Sequence, residues 1–141
     1  METIEVRTKE RTEFVPITHL VSEVVRGSGV MQGICVLSTG HTTAGLTVNE
    51  NSDPDVIHDL IYLLERVAPW DDPHYRHYEG NSAAHLKSSL MGTSLTLIVD
   101  QGSLVLGRWQ GIFLCEFDGP RTRKVHMQVI PTDNGKKGDG E

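Results

Sequence analysis

The chain has 141 residues and a formal net charge of -6 at pH 7, from 13 Lys and Arg against 19 Asp and Glu. This length suits one domain with its own hydrophobic core, and the acidic balance argues against general nucleic-acid binding, which needs a concentrated basic face. The sequence shows no apolar run of membrane-spanning length and no signal peptide, so we expect a cytoplasmic protein that does not bind membranes.

The first part of the chain predicts two short strands and a helix. Residues 2–8 alternate polar with apolar side chains, and residues 14–17 are expected to pair with them in an opening hairpin. Thr18 is predicted to cap a helix over residues 19–26, and Gly27 is predicted to end that helix.

The middle of the chain predicts two strands followed by the longest helix. Residues 33–38 are a continuous apolar run of strand length, residues 46–49 are expected to form a second strand, and the loop between them contains His41. Pro54 suits the first position of a helix, and apolar residues then recur at helical spacing until Pro69.

The second half begins with one short helix and then turns to strands. Gly80 and Asn81 are predicted to open a helix over residues 82–90. The expected strands are residues 95–99, 104–106, 112–117 and 125–130. We therefore predict an α+β fold, with one domain over residues 1–132 that has a mainly antiparallel or mixed β-sheet and about three helices. Residues 133–141 have nothing apolar to bury and are expected to form a disordered tail.

The densest group of reactive side chains lies just before and inside the short helix. Within eleven residues the sequence places His77, Glu79, Asn81, His85 and Lys87. A helix start offers free backbone N–H groups and a positive dipole end, which suits an anion. Each histidine taken alone could be a solvated or hydrogen-bonded residue, but the group together favours a functional site.

A metal site is the first chemistry that the histidines suggest. His41, His77 and His85 come from separate elements, and three imidazoles with an open position are typical of catalytic zinc. The spacing matches no local ligand motif, so ordinary surface histidines stay an alternative. Glu50 or Glu79 could act as a general base or orient a ligand imidazole, or could be an exposed carboxylate.

Three cations could hold phosphate oxygens. Arg121 and Arg123 alternate along one predicted strand, and Lys87 comes from the short helix. The alternative is that these arginines form cross-strand ion pairs with Glu116 or Asp118.

An aromatic residue in a turn offers a further contact. Trp109 and Gln110 follow Gly107 and Arg108, and an indole there could stack on a heteroaromatic ring. A buried anchor is the commoner role for tryptophan, and we expect that role for Trp109.

Three ordered motifs carry a family resemblance. They are STGHTTAGLTVNE at 38–50, HYEGNSAAHLK at 77–87 and LGRWQGIFLCEFDGPRTR at 106–123. Together they resemble the YjbQ-like family over nearly the whole ordered chain. Arg108 departs from the family pattern, in which we expect a threonine at that position.

The resemblance implies a small α+β domain that assembles as a homotrimer, a histidine-built site for a divalent metal such as zinc or magnesium, and a secondary thiamine-phosphate synthase activity. In that reaction the nitrogen of thiazole phosphate displaces pyrophosphate from hydroxymethylpyrimidine diphosphate. The catalytic candidates are Glu50, Glu79 and His85, and the metal candidates are His41, His77 and His85. The substrate-binding candidates are Asn49, Asn81, Lys87, Trp109, Gln110, Arg121 and Arg123.

Two other functions stay open. A metal-bound water could hydrolyse a small phosphorylated or amide substrate, with Glu50 or Glu79 as the base. The chain could also be a trimeric protein that binds a phosphorylated metabolite without turnover. The partner that we expect is a phosphorylated small-molecule substrate.

Overall fold

The computed structural model describes residues 1–132, so the predicted tail at 133–141 lies outside the described residues. The strands are β1 (Glu2–Arg7), β2 (Glu13–Pro16), β3 (Gln32–Ser38), β4 (Ala44–Glu50), β5 (Ser94–Asp100), β6 (Ser103–Leu104), β7 (Gln110–Glu116) and β8 (Thr122–Pro131). The helices are α1 (Thr18–Ser28), α2 (Pro54–Val67) and α3 (Ser82–Met91).

The strands form two antiparallel sheets. The large sheet has the order β1-β8-β3-β5-β6, and the small sheet has the order β2-β7-β4. Every strand pair is antiparallel. The predicted α+β class, with mainly antiparallel strands and three helices, is confirmed.

Strand β7 is the centre of the core because both of its faces are buried. Ile112 and Leu114 face a cluster formed with α1 and the inner face of the large sheet. Phe113 and Cys115, which alternate with them, face a second cluster formed with α2 and α3. A strand buried on both faces reads as a continuous apolar run rather than as an alternation. The small sheet therefore lies between the large sheet with α1 on one side and α2 with α3 on the other.

The opening hairpin predicted from the sequence is wrong. Strand β1 pairs with β8 in the large sheet, and β2 pairs with β7 in the small one. Period-two alternation indicates which side chains face a core, but it does not identify the strand that completes the pairing. Both partners of the first two strands come from the far end of the chain.

Helix α1 also differs from its predicted boundaries. Ile17 is the N-cap residue, and the Thr18 hydroxyl instead accepts a hydrogen bond from the Ile112 amide at 2.8 Å. Gly27 lies inside the helix, which ends at Gly29 in a left-handed conformation with φ 75°. The long helix was predicted closely, and the Asp53 side chain caps it by accepting from the Asp55 amide. No helix within residues 1–132 is long and apolar enough to cross a membrane.

Candidate functional site

Two histidines and a glutamate line one open groove. The ring centroids of His77 and His85 are 5.5 Å apart, with the rings nearly perpendicular. His77 Nε2 lies 3.0 Å from Glu79 Oε1. Ser82 completes the lining of a groove of about 410 Å³. The structure thus brings together three of the residues that the sequence nominated for catalysis or metal binding.

The local sequence explains why these side chains meet. A turn closed by the Gly80 amide and the His77 carbonyl, at 3.0 Å, reverses the chain just before α3. Gly80 has φ 75°, a conformation that other residues rarely adopt. The helix then carries His85 past the turn, and His85 lies outside the buried face of α3, which is formed by Ala83, Ala84, Lys87 and Ser88. His77 and Glu79 therefore face His85 across the start of the helix.

An arginine lies beside the same helix start. Asn81, the N-cap residue of α3, donates through Nδ2 to Asp118 Oδ2 at 2.9 Å. Arg121 donates to the same carboxylate oxygen at 3.3 Å and to the Asp118 carbonyl at 3.0 Å. The Arg121 side chain is 50% exposed, so it keeps donors available to a ligand. Asn81 Oδ1 is buried and has no hydrogen-bond partner among residues 1–132.

Arg123 is used inside the protein. It forms an ion pair with Glu116, and both residues are buried, at 1% and 0% exposure. Arg123 Nη2 also donates to Thr43 Oγ1 at 2.8 Å, and the Thr8 hydroxyl donates to Glu116 Oε1 at 2.8 Å. The sequence-based alternative of a cross-strand pair with Glu116 describes this contact, and the Arg123 side chain is buried.

Lys87 is also buried, on the other side of α3 from His85. Its exposure is 1%, and its ammonium group is bonded to Glu65 of α2. Residues two positions apart in a helix are separated by about 200° around its axis, which explains why His85 and Lys87 face opposite ways. Glu65 is a residue that the sequence reasoning missed, although its position near the end of the apolar stripe of α2 could have indicated it.

His41 lies apart from the groove, beside β8. Its Nε2 accepts a hydrogen bond from the Lys124 amide at 3.0 Å. Burial lowers the pKa of His41, and the charges of Arg123 and Arg121 lower it further, while Glu116 acts in the opposite direction. His41 is therefore held neutral, with only Nδ1 open to another partner. Within residues 1–132 no group of three His, Cys, Asp or Glu side chains is arranged to hold a metal ion.

The remaining nominated residues lie at the junction of β4 and β7. Asn49 pairs with Gly111, and Glu50 pairs with Gln110, in the register of the two strands. Glu50 lines a groove with Phe14 and Phe113 that does not include the histidines. The Gln110 side chain accepts from the Gly107 amide at 2.7 Å. These residues thus form no contact with the histidine groove.

Trp109 is not the buried anchor that we expected. Its side chain is 53% exposed, and the Arg108 guanidinium lies 4.7 Å from its ring centroid. The turn after Gly107 projects the indole to the surface, where arginine is its partner. Stacking on a ligand ring, the alternative reading of Trp109, is compatible with this exposure.

Comparisons with known proteins give a consistent result. A family model described as "UPF0047 protein YjbQ-like" matches residues 2–132. The UPF0047 protein YugU of Bacillus subtilis is 45% identical over 130 residues, which cover 92% of this chain and 98% of the relative. The UPF0047 protein MJ1081 of Methanocaldococcus jannaschii is 47% identical over 128 residues, or 89% and 91% of the two chains.

Solved structures show the same similarity. The crystal structure of an uncharacterised conserved protein of the YjbQ/UPF0047 family from Clostridium acetobutylicum has a TM-score of 0.90 at 48% identity, covering 92% of this chain and 100% of that one. A hypothetical protein from Aeropyrum pernix has a TM-score of 0.87 at 32% identity, covering 94% and 100%. The structural similarity and the sequence similarity therefore both point to the same group of proteins.

Proposed function

Because the chain belongs to the UPF0047 protein YjbQ-like family, we propose that it binds a phosphorylated small molecule in the histidine groove and acts there as a weak, secondary thiamine-phosphate synthase. The observation that carries the proposal is the groove itself. The ring centroids of His77 and His85 are 5.5 Å apart, and Glu79 bonds the His77 ring. The start of α3 lies beside both rings. These groups suit an anion that gains charge as it leaves.

The proposed reaction forms one bond and breaks one. The thiazole nitrogen attacks the methylene carbon of hydroxymethylpyrimidine diphosphate, the carbon–oxygen bond breaks, and pyrophosphate leaves with the electron pair. The nitrogen becomes quaternary, so no base is needed to remove a proton from it. The protein must instead align the two substrates and stabilise the charge on the leaving group.

The groove offers specific groups for that stabilisation. With Nε2–H of His77 donating to Glu79, the ring orientation is fixed and Nδ1 is directed elsewhere. Arg121 is half-exposed beside Asn81 and offers a planar set of donors for phosphate oxygens. We assign the phosphate contacts to Arg121 and the start of α3, since Lys87 and Arg123 are bonded internally.

A divalent metal in this groove would be held by His77 and His85 alone, since no group of three ligating side chains is present within residues 1–132. Imidazole nitrogens favour zinc over magnesium, which prefers oxygen ligands. His41 would join such a site only through Nδ1, because its Nε2 accepts from the Lys124 amide. When bound, the metal would neutralise charge on the leaving pyrophosphate.

We further propose that the protein is a cytoplasmic homotrimer. The resemblance implies the trimer, and the outer face of the large sheet offers a surface for it. Ile34 there lies across from Ile98 on one side and Ile130 on the other, and the last two are exposed. An exposed row of branched apolar side chains is typical of a surface that meets another protein.

The test is formation of thiamine phosphate from its two phosphorylated halves by the purified protein. The His85→Ala variant removes one groove imidazole, and His58→Ala removes an exposed imidazole of α2 that pairs with Asp59. We expect product from the wild type and from His58→Ala, and about 10²–10⁴-fold less from His85→Ala, which is the range that one positioned catalytic group contributes.

Equal product from all three proteins would indicate a contaminating synthase, and no product from any of them would remove this reaction from the groove. In the second case, metal-dependent hydrolysis is the next candidate. Its support is the contact between Glu79 and His77, since a carboxylate commonly orients a ligand imidazole. Tight binding of a phosphorylated metabolite without turnover would instead identify a binding protein.

A further inference from the structure

Strand β1 is an edge of the large sheet along its whole length. It pairs with β8 on one side, and within the described part of the chain no strand lies on the other. The Thr8 amide, just after β1, donates to the Arg121 carbonyl at 2.9 Å, so the even-numbered backbone groups of β1 face β8. Because backbone direction alternates along a strand, the N–H and C=O groups of Thr3, Glu5 and Arg7 point outward. Among residues 1–132 these outward groups have no hydrogen-bond partner.

The pairing of β8 with β3 gives the same alternation. The Thr132 amide donates to the Gln32 carbonyl at 3.0 Å, so the even-numbered groups of β8 face β3 and its odd-numbered groups face β1. The odd-numbered residues of β8 lie opposite the even-numbered residues of β1, as Val125 lies opposite Ile4. Both neighbouring pairings therefore place the odd-numbered backbone groups of β1 at the free edge.

An apolar groove lies on the inner face of the sheet at this edge. Ile4 of β1 and Met127 and Val129 of β8 form its floor, and Leu20 and Val24 of α1 form its wall. Its volume is about 500 Å³, whereas an apolar cavity of about 150 Å³ already accepts benzene. The groove therefore has room for an apolar side chain from another molecule.

A strand added to β1 would place such a side chain at the groove. Neighbouring strands lie about 4.7–4.9 Å apart, and the Cβ atoms of directly opposite residues are about 4.5–5.5 Å apart. The residue opposite Ile4 points to the same face of the sheet as Ile4, which itself lines the groove. The unpaired backbone and the groove thus form one continuous surface.

The charges at this surface are mainly negative. Glu2 and Glu23 line the groove, and Glu5 is exposed on the edge strand. Arg7 is the single cation of β1, against the carboxylates of Glu2 and Glu5. Opposite charges on neighbouring strands are stabilising, and like charges are destabilising. A strand with basic side chains is therefore the better partner.

The chain itself does not supply that strand. A second copy would bring its own Glu2 and Glu5 to an edge that already has both. Residues 133–141 contain two lysines but no apolar side chain that could fill the groove. The charge pattern and the groove together favour a basic and apolar segment of a different protein.

We propose that β1 is a docking edge for an extended segment of another protein, with an apolar residue opposite Ile4 and basic residues opposite Glu2 and Glu5. The segment pairs its backbone with the outward groups of Thr3, Glu5 and Arg7, and its apolar side chain enters the groove. In this mode of recognition the backbone hydrogen bonds supply affinity, and the side-chain contacts supply specificity. The charged side chains of β1 also disfavour pairing with unrelated strands.

This surface is separate from the proposed synthase groove. The two grooves share no lining residue. The apolar row that we propose for the trimer lies on β3, β5 and β8, so none of it belongs to β1. The inference therefore does not depend on the proposed reaction, and binding can be measured without any activity assay.

The probe is the peptide acetyl-Thr-Val-Lys-Leu-Thr-Lys-amide. When it runs antiparallel to β1, its leucine lies opposite Ile4 and its lysines lie opposite Glu5 and Glu2. The peptide is titrated into the full-length protein, and binding is followed by NMR and by calorimetry. At saturation, hydrogen exchange of the Thr3, Glu5 and Arg7 amides should slow by about tenfold or more, while the amides of β1 that already face β8 change little.

A backbone variant tests the strand pairing. Glu5→Pro removes an outward N–H without removing a bond to β8, and an edge strand tolerates proline at such a position. We expect the peptide to bind about tenfold more weakly to this variant. The matched control is Glu5→Gln, which keeps the N–H and loses only an exposed charge, so its effect should be about two- to fivefold.

Two changes in the peptide give the same test on the wild-type protein. An N-methyl group on the lysine opposite Glu5 removes the reciprocal N–H and should weaken binding about tenfold. Replacing the leucine with serine should weaken it by about 10–100-fold, because the side chain that fills the groove is lost. These measurements stay informative even if Glu5→Pro does not fold.

Three results would overturn the proposal. Equal binding of the N-methylated peptide would show that no strand is added to β1. Equal binding of a peptide with glutamates in place of both lysines would remove the preference for a basic partner. Slow exchange of the Thr3, Glu5 and Arg7 amides in the free protein, increasing with protein concentration, would assign the edge to a second copy of the chain.

Discussion

Breaking the buried pair of Glu116 and Arg123 should destabilise the fold strongly. Arg123→Met keeps the length of the side chain but leaves the Glu116 carboxylate buried without a cation. The hydrogen bonds from Thr8 and from the Asp118 amide remain, but they compensate only part of the cost of burying the Glu116 charge. Removing one partner of a buried ion pair costs about 3–5 kcal/mol, a large part of the ~5–15 kcal/mol that stabilises a typical domain.

The assay is urea unfolding followed by circular dichroism at one fixed protein concentration. Arg121→Met is the matched control, because its pair with Asp118 is half-exposed and should contribute about 0–1 kcal/mol. The free energy of unfolding should fall by about 3–5 kcal/mol for Arg123→Met. A loss no larger than that of Arg121→Met would refute the assignment of Arg123 to a structural role.

The same pair predicts a pH dependence. Burial of Glu116 raises its pKa, but hydrogen bonds from Arg123, the Asp118 amide and Thr8 outweigh burial and hold it below the ordinary value of 4.5. The unfolded chain therefore binds this proton more readily than the folded one. The stabilisation that the ionised Glu116 carboxylate contributes is complete above about pH 4.5. It is lost as the pH falls through the lower pKa that Glu116 has in the folded protein. Glu116→Gln should remove that part of the acid sensitivity.

Other predictions follow from single positions. Gly45→Ala should destabilise by about 1–3 kcal/mol, because a Cβ there would lie 2.8 Å from Met91 Cβ, whereas Gly40→Ala meets nothing within 4 Å and serves as its control in thermal unfolding. Asp53→Ala should cost about 0.5–2 kcal/mol through the lost cap of α2, and an unchanged melting temperature would contradict this. The pKa of His41 should lie below its ordinary value of 6.5 by NMR, and a midpoint at or above 6.5 would contradict the effect of its partial burial and of the nearby arginines.

Features encoded by neighbouring residues were predictable from the sequence. The long helix was clear because Pro54 and Pro69 bracket its apolar repeat. The meeting of His77 and His85 was also predictable, since a turn and a helix start bring together residues only eight positions apart. No long-range packing is needed for that contact.

Features that depend on distant pairing were not predictable. The first two strands alternate in a way that fits a hairpin, but their partners β8 and β7 lie about a hundred residues away. The burial of Lys87 depends on how α2 packs against α3, and the sequence of neither helix specifies that packing. Trp109 was expected inside, because tryptophan is usually buried, yet its turn extends beyond the sheet.

The central claim is that a phosphorylated ligand binds between His77 and His85, and the most direct measurement is an NMR titration of the imidazole signals with pyrophosphate. The chain has seven histidines, so the same spectra contain their own controls. The account predicts that the signals of His77 and His85 move together and saturate, while those of the exposed His19 and His58 do not. Unmoved signals from the groove, or an equal response from all histidines, would contradict the account.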